Sequence, residues 1–290
     1  MKNTLSMILL LCTGMAGAQT KSETINKEFS FEKKGPQNAI LVANINGSVS
    51  VEGYAGNTVV VEVQKTITGK TSARLDLGMQ EVQLGVIDRA DSIILYVKGI
   101  CPQFGRSDKN RHGDFGKWNY EWDNCEHEKG YDYKLDFKVK VPQGVNVAVS
   151  TINDGNIAVQ KVSGEVHANN INGGIRLADL TTSAKAHTIN GDVDIRYAEN
   201  PKSDCRFYTL NGDINAYFKK GLSSEVSFKS FNGEFYTNLE KIEALPIMVE
   251  KNETGKGTKY KVNGNRYQTG TGGAHLDFET FNGNVYLKEQ

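Results

Sequence analysis

One short motif recurs seven times in this chain: a bulky apolar residue followed by Asn and Gly. The copies are Ile45-Asn46-Gly47, Ile152-Asn153 (Asp154 intervenes before Gly155), Ile171-Asn172-Gly173, Ile189-Asn190-Gly191, Leu210-Asn211-Gly212, Phe231-Asn232-Gly233 and Phe281-Asn282-Gly283. From Asn153 to Asn232 the steps are 19, 18, 21 and 21 residues. A fixed period near 20 marks a repeat architecture. Six residues before each asparagine stand Ile40, Val147, Val166, Ala184, Cys205, Val226 and Leu276, and four before it Val42, Val149, Ala168, Ala186, Phe207, Phe228 and Phe278. Two before it comes a small polar set, Asn44, Thr151, Asn170, Thr188, Thr209, Ser230 and Thr280. The third residue after it is again apolar: Val49, Ile175, Val193, Ile214, Phe235 and Val285, with Ile157 one place later. Apolar residues two apart on both arms mean strands with one buried face.

Two folds satisfy that pattern. Asn-Gly is a strong hairpin signal, because both residues tolerate positive φ, and hairpins in series make a meander. Both arms, however, keep their composition over successive copies, which a meander does not require. A stack does, since each column then packs on its own kind about 4.8 Å above and below. The fold expected is therefore all-β: a β-solenoid, a single-stranded β-helix-like stack of coils of roughly 20 residues with Asn-Gly corners. The Thr/Asn/Ser column suits a polar ladder beside the corner. One short helix is expected over Ser72 to Val82.

Residues 1–18 read as a signal peptide: Lys2, an apolar run from Leu5 to Cys12, and Ala16-Gly17-Ala18 before Gln19. Without them 33 basic face 34 acidic side chains, a net charge of −1, which gives no reason to expect nucleic acid. No later apolar run is long enough for a transmembrane segment. Residues 19–290 then form the exported domain, with a cysteine-bracketed aromatic loop at 101–128, regular coils at 145–239, a Gly-rich insertion at 240–273 and a last coil at 274–290. In an oxidising compartment Cys101 and Cys125 are expected to close that loop as a disulfide. Cys205 falls in an inward column and reads as a small buried hydrophobe.

The loop carries Trp118, Tyr120 and Trp122, suited either to bind a sugar or protein or to cover an open end of the stack. Outward positions before the corner give a second candidate surface, His167, Lys185, His187 and Arg206, continuing through Tyr208 to Ser227 and Lys229. Such a basic, partly aromatic face suits an anionic glycan. After the corner, Asp192, Asp213 and Glu234 share one position on three successive copies. Stacked carboxylates form a weak Ca²⁺ candidate and are the groups a polysaccharide hydrolase or lyase would use; turn-flanking positions also simply favour acids. His112, Asp114, Asp123 and His127 lack regular zinc-ligand spacing. No cofactor and no catalytic residue is expected.

The runs Tyr131–Val159, Ile40–Val63 and Ala274–Leu287 resemble the bacterial putative-adhesin β-strand-repeat family, whose relatives include the head domain named for Gly-Ile-Asn repeats (GIN) and the toastrack domains. The similarity extends from Lys21 to Leu287. It implies a β-helix-like stack in an exported envelope protein of unknown function and brings no ligand residues with it. The leading expectation is thus a non-enzymatic periplasmic, outer-membrane-surface or extracellular protein, an adhesin or binding scaffold for a surface glycan or envelope protein. A polysaccharide-active enzyme and a partner-binding sensor module of an envelope stress system are the alternatives.

Overall fold

The computed structural model describes residues 18–99, 101–106, 118–122, 130–254, 257–263 and 265–290. All but the last residue of the expected leader lies outside them. The chain is all-β apart from one helix, Ser72–Glu81, at the place the sequence predicts. Thr71 caps it, its hydroxyl accepting from the Arg74 N–H and so satisfying one of the donors left without a helical partner.

The two arms of each regular Asn-Gly motif enter different sheets. The preceding arms Asn146–Thr151, Val166–Asn170, Ala184–Asn190 and Cys205–Asn211 lie in an eleven-stranded sheet. The following arms Ile157–Gln160, Ile175–Leu180, Val193–Tyr197 and Ile214–Phe218 lie in a ten-stranded one. Neighbouring arms are parallel and in register: Val147 faces Val166, Val166 faces Ala184, Ile175 faces Val193, and Val193 faces Ile214. Hairpins do not form across these motifs. Each is a corner between sheets, and the inward residues of both sheets meet in one core.

Side chains bind the corners to one another. The seven motif asparagines form an unbroken ladder in which each Nδ2 donates to the Oδ1 before it: Asn153 to Asn46 (3.3 Å), Asn172 to Asn153 (2.8 Å), Asn190 to Asn172 (2.8 Å), Asn211 to Asn190 (2.9 Å), Asn282 to Asn211 (2.8 Å) and Asn232 to Asn282 (2.9 Å). The hydroxyl column does not bond to itself. Thr151, Thr188, Thr209 and Thr280 each donate to the glycine carbonyl of the coil before, at 2.7, 2.8, 2.8 and 3.2 Å. All four threonines are buried, so each bond satisfies a hydroxyl that would otherwise be left unpaired away from water.

The coil last in the chain is not last in the stack. Ala274–Asn282 lies between Cys205–Asn211 and Ser224–Asn232, and Val285–Glu289 lies between Ile214–Phe218 and Phe235–Thr237. The insertion accounts for the crossing: its strand Arg266–Thr269 runs antiparallel along the far side of Ser224–Asn232, and the chain then turns back into the stack. At the opposite end the first coil, Ala39–Ala43 with Val49–Tyr54, is flanked by Ser92–Lys98 and Tyr131–Pro142. The helix carries the chain there from one sheet to the other, with Leu75 in the core.

Candidate functional site on an outer sheet face

On the outer side of the eleven-stranded sheet, one row read across neighbouring strands runs Ile94, Leu41, Ala148, His167, Lys185, Arg206, Asp277, Ser227. The next runs Tyr96, Ala43, Ser150, Asn169, His187, Tyr208, Glu279, Lys229. The topology thus brings His167, Lys185, His187 and Arg206 together on three adjacent strands. The ring of His187 meets that of Tyr208 edge-on at 4.5 Å.

The basic row stops sooner than the sequence suggests. Because the last coil enters the stack ahead of Ser224–Asn232, its Asp277 and Glu279 stand between Arg206 and Lys229. Arg206 lies 3.4 Å from Asp277 and 3.5 Å from Glu279, and Lys229 pairs with Glu279 from the other side. Exposed pairs of this kind add little stability, but they neutralise that end of the face.

The aromatic segment occupies the other end of the same face. Gln103–Arg106 and Trp118–Glu121 form an antiparallel hairpin over Leu41, Ala43 and Ile94. Phe104 stacks on Tyr96 (4.6 Å) and on Trp118 (5.7 Å), and the Arg89 guanidinium sits 5.1 Å from the Trp118 ring centre. The Tyr120 hydroxyl donates to the Ala43 carbonyl (2.9 Å) and accepts from the Val97 N–H (2.8 Å); burial pushes its pKa well up. Of the three aromatic candidates only Trp122 is largely exposed, at 53%. The described part of this segment is therefore neither an open loop nor a lid on the end of the stack, but a third layer over one sheet face. A signal for it stands in the sequence: Ala39–Ala43 and Ser92–Lys98 are nearly continuous apolar runs, the pattern of strands buried on both faces. Trp118→Ala is expected to cost about 1–3 kcal/mol and Trp122→Ala less than about 0.5 kcal/mol, read from urea midpoints of the two variants.

The carboxylate column holds coils together. Asp192 Oδ1 accepts the Asp213 N–H (2.8 Å), Asp213 Oδ1 the Asn284 N–H (2.7 Å), and Asn284 Oδ1 the Glu234 N–H (3.0 Å). Asn284, from the interposed coil, separates Asp213 from Glu234, so the three acids do not form the continuous Ca²⁺ stack that the copy order suggests. Among the described residues no three His, Cys, Asp or Glu gather as a metal site. Cys205 is buried, its Sγ 3.2 Å from the Tyr197 hydroxyl, and burial raises its thiol pKa. Cys125 of the expected disulfide, and His112, Asp114, Asp123 and His127, lie outside the described residues.

No family model matches the chain, and no curated protein matches it. Among solved structures it is similar to a putative cell adhesion protein from Clostridium sporogenes ATCC 15579, at 10% identity over 93% of this chain and 100% of that one, with a TM-score of 0.44. A putative adhesin from Bacteroides fragilis NCTC 9343 is 11% identical over 92% and 97%, with a TM-score of 0.34. A putative lipid binding protein from Parabacteroides distasonis ATCC 8503 is 11% identical over 93% and 96%, with a TM-score of 0.25. At these scores the likeness carries no argument for this chain. Among the described residues no helix is long and apolar enough to cross a membrane.

Proposed function

We propose that this chain is an exported, non-enzymatic binding scaffold of the cell envelope, a β-solenoid whose outer sheet face takes a surface glycan or protein partner. The observation that supports it best is the convergence on one face of two segments more than forty residues apart in sequence: the aromatic hairpin ending at Trp122 and the group His167, Lys185, His187, Arg206. A polysaccharide-active enzyme would need acids free for proton transfer, whereas Asp192 and Asp213 spend an oxygen each on the next coil's backbone. In this reading residues 1–18 are the export signal and Cys101 and Cys125 brace the hairpin.

The experiment is a binding titration of the mature protein against an anionic envelope polysaccharide, at low and high salt, with wild type, Trp122→Ala and the Lys185→Glu, Arg206→Glu double variant. The double variant is expected to lose about tenfold or more in affinity at low salt and less at high salt. Equal affinity for all three proteins would sink the glycan reading of this face.

A further inference from the structure

The stack is unfinished on one side. In the eleven-stranded sheet Ser224–Asn232 is followed by two antiparallel strands, Arg266–Thr269 and Glu243–Ala244. In the ten-stranded sheet Phe235–Thr237 is the edge. The inserted strand pairs with Ser224–Ser227, leaving the corner half of that coil, from Lys229 to Thr237, with a strand neighbour on one side.

What this half-coil presents is the set of acceptors with which earlier coils hold their successors. At Asn211-Gly212-Asp213 the three acceptors take the Asn282 amide (2.8 Å), the Thr280 hydroxyl (3.2 Å) and the Asn284 N–H (2.7 Å). At Asn282-Gly283-Asn284 they take the Asn232 amide (2.9 Å), the Ser230 hydroxyl (3.4 Å) and the Glu234 N–H (3.0 Å). At Asn232-Gly233-Glu234 no described residue donates to the Asn232 Oδ1 or the Gly233 carbonyl, and the Glu234 carboxylate takes the Tyr236 hydroxyl of its own coil. Two aromatic columns stop here as well. Phe231 stacks on Phe281 at 4.8 Å and is 75% exposed, and Tyr236 stacks on Tyr286 at 5.1 Å and is 44% exposed. The Glu234 carbonyl accepts from the Val285 N–H. By the alternation of a parallel ladder, Phe235 and Thr237 then turn their N–H and C=O groups outward.

We infer that this edge receives one extended segment of another polypeptide, parallel to Phe235–Thr237 and carrying a corner of the same kind. Its chemistry follows from the acceptors: Ser or Thr, a bulky apolar residue, Asn and Gly in direct succession, as in Thr280-Phe281-Asn282-Gly283, then an alternating apolar arm. The Asn amide would meet Asn232, the hydroxyl would meet Gly233, the apolar side chain would cover Phe231, and the arm would extend the ten-stranded sheet. No first arm is needed, because Arg266–Thr269 already fills that place. A sugar fits the edge less well, since it would leave outward backbone groups unmet, and strand addition satisfies them. The inference rests on the scaffold reading for its purpose but not on the basic face: failure of the polysaccharide titration leaves it standing, and failure below leaves the face standing.

The probe is a fluorescent peptide of residues 279–290, this chain's own last corner and following arm, titrated into the full mature protein. Saturable binding is expected. Thr237→Pro, which removes an outward N–H, should weaken it about tenfold, and Phe231→Ala, an exposed change that leaves folding intact, should weaken it severalfold. A peptide with Asn282→Asp, lacking the amide donor, should bind about fivefold more weakly. Circular dichroism melts verify that both protein variants are folded. Absence of binding up to about 1 mM peptide, or equal binding by wild type and both variants, overturns the inference. A dimer in sedimentation velocity that Thr237→Pro dissolves would place a second copy on the edge and also overturn the assigned partner.

Discussion

Phe278→Ala is expected to lower the free energy of unfolding by about 3–5 kcal/mol, measured as a fall in urea midpoint at unchanged slope. The ring is fully buried, lies 5.4 Å from that of Phe207, and stands in register between Phe207 and Phe228 on the flanking strands. Truncation removes the contact between two coils and leaves a cavity that a strand held on both sides cannot collapse to fill. Phe281, three residues on, is an internal control. It is 43% exposed, and its replacement by Ala is expected to cost less than about 1 kcal/mol. The comparison also tests strand order. Were the coils stacked in chain order, Phe278 would sit on the terminal coil with one flanking strand instead of two, and the gap between the variants would shrink.

Much of this fold is legible because the physics of parallel stacking writes itself into columns. Val166, Ala184 and Cys205 recur at one offset because they face one another across strands, and the recurrence of Thr188 and Thr209 reflects one bond made in each coil to the glycine before. Column identity, though, is silent about order. Ser224–Asn232 and Ala274–Asn282 offer the same inward kinds, Val226 and Leu276, Phe228 and Phe278, Ser230 and Thr280, and differ outward, where Asp277 and Glu279 can pair with Arg206 and the Ser227 and Lys229 of the other strand cannot. The exchanged order of these two strands is what breaks the basic row at Asp277 and places Asn284 between Asp213 and Glu234. The aromatic hairpin was hidden for another reason. Its aperiodic sequence gives no register, and its partner is a patch of outward apolar residues, Leu41, Ala43 and Ile94, visible only as a lack of alternation in two distant strands.

Gly212→Ala is expected to cost about 4 kcal/mol or more, among the largest effects a single substitution has. Two reasons for glycine after each asparagine can be separated. One is conformational: Gly212 has φ +155°, a backbone that side chains rarely adopt. The other is proximity. A Cβ at Gly212 would lie 2.2 Å from the Gly191 carbonyl oxygen and 2.6 Å from its carbon, atoms of the backbone below that have no rotamer by which to withdraw. Relief would require the two coils to part, which would stretch the Asn211–Asn190 amide bond (2.9 Å) and the Thr209–Gly191 bond (2.8 Å) beside it. Gly155 and Gly173 meet the coil below as closely, at 2.2 and 2.3 Å, without a φ in the positive range, so close approach is the feature common to the corners. Gly221→Ala isolates the first reason. Its φ is +82° and a Cβ there would meet nothing within 4 Å, so only the left-handed strain of about 1–2 kcal/mol applies. Denaturation of the two variants therefore separates corner from turn: a hairpin glycine would give similar losses at both positions, whereas a stacked corner makes the loss at Gly212 at least twice that at Gly221.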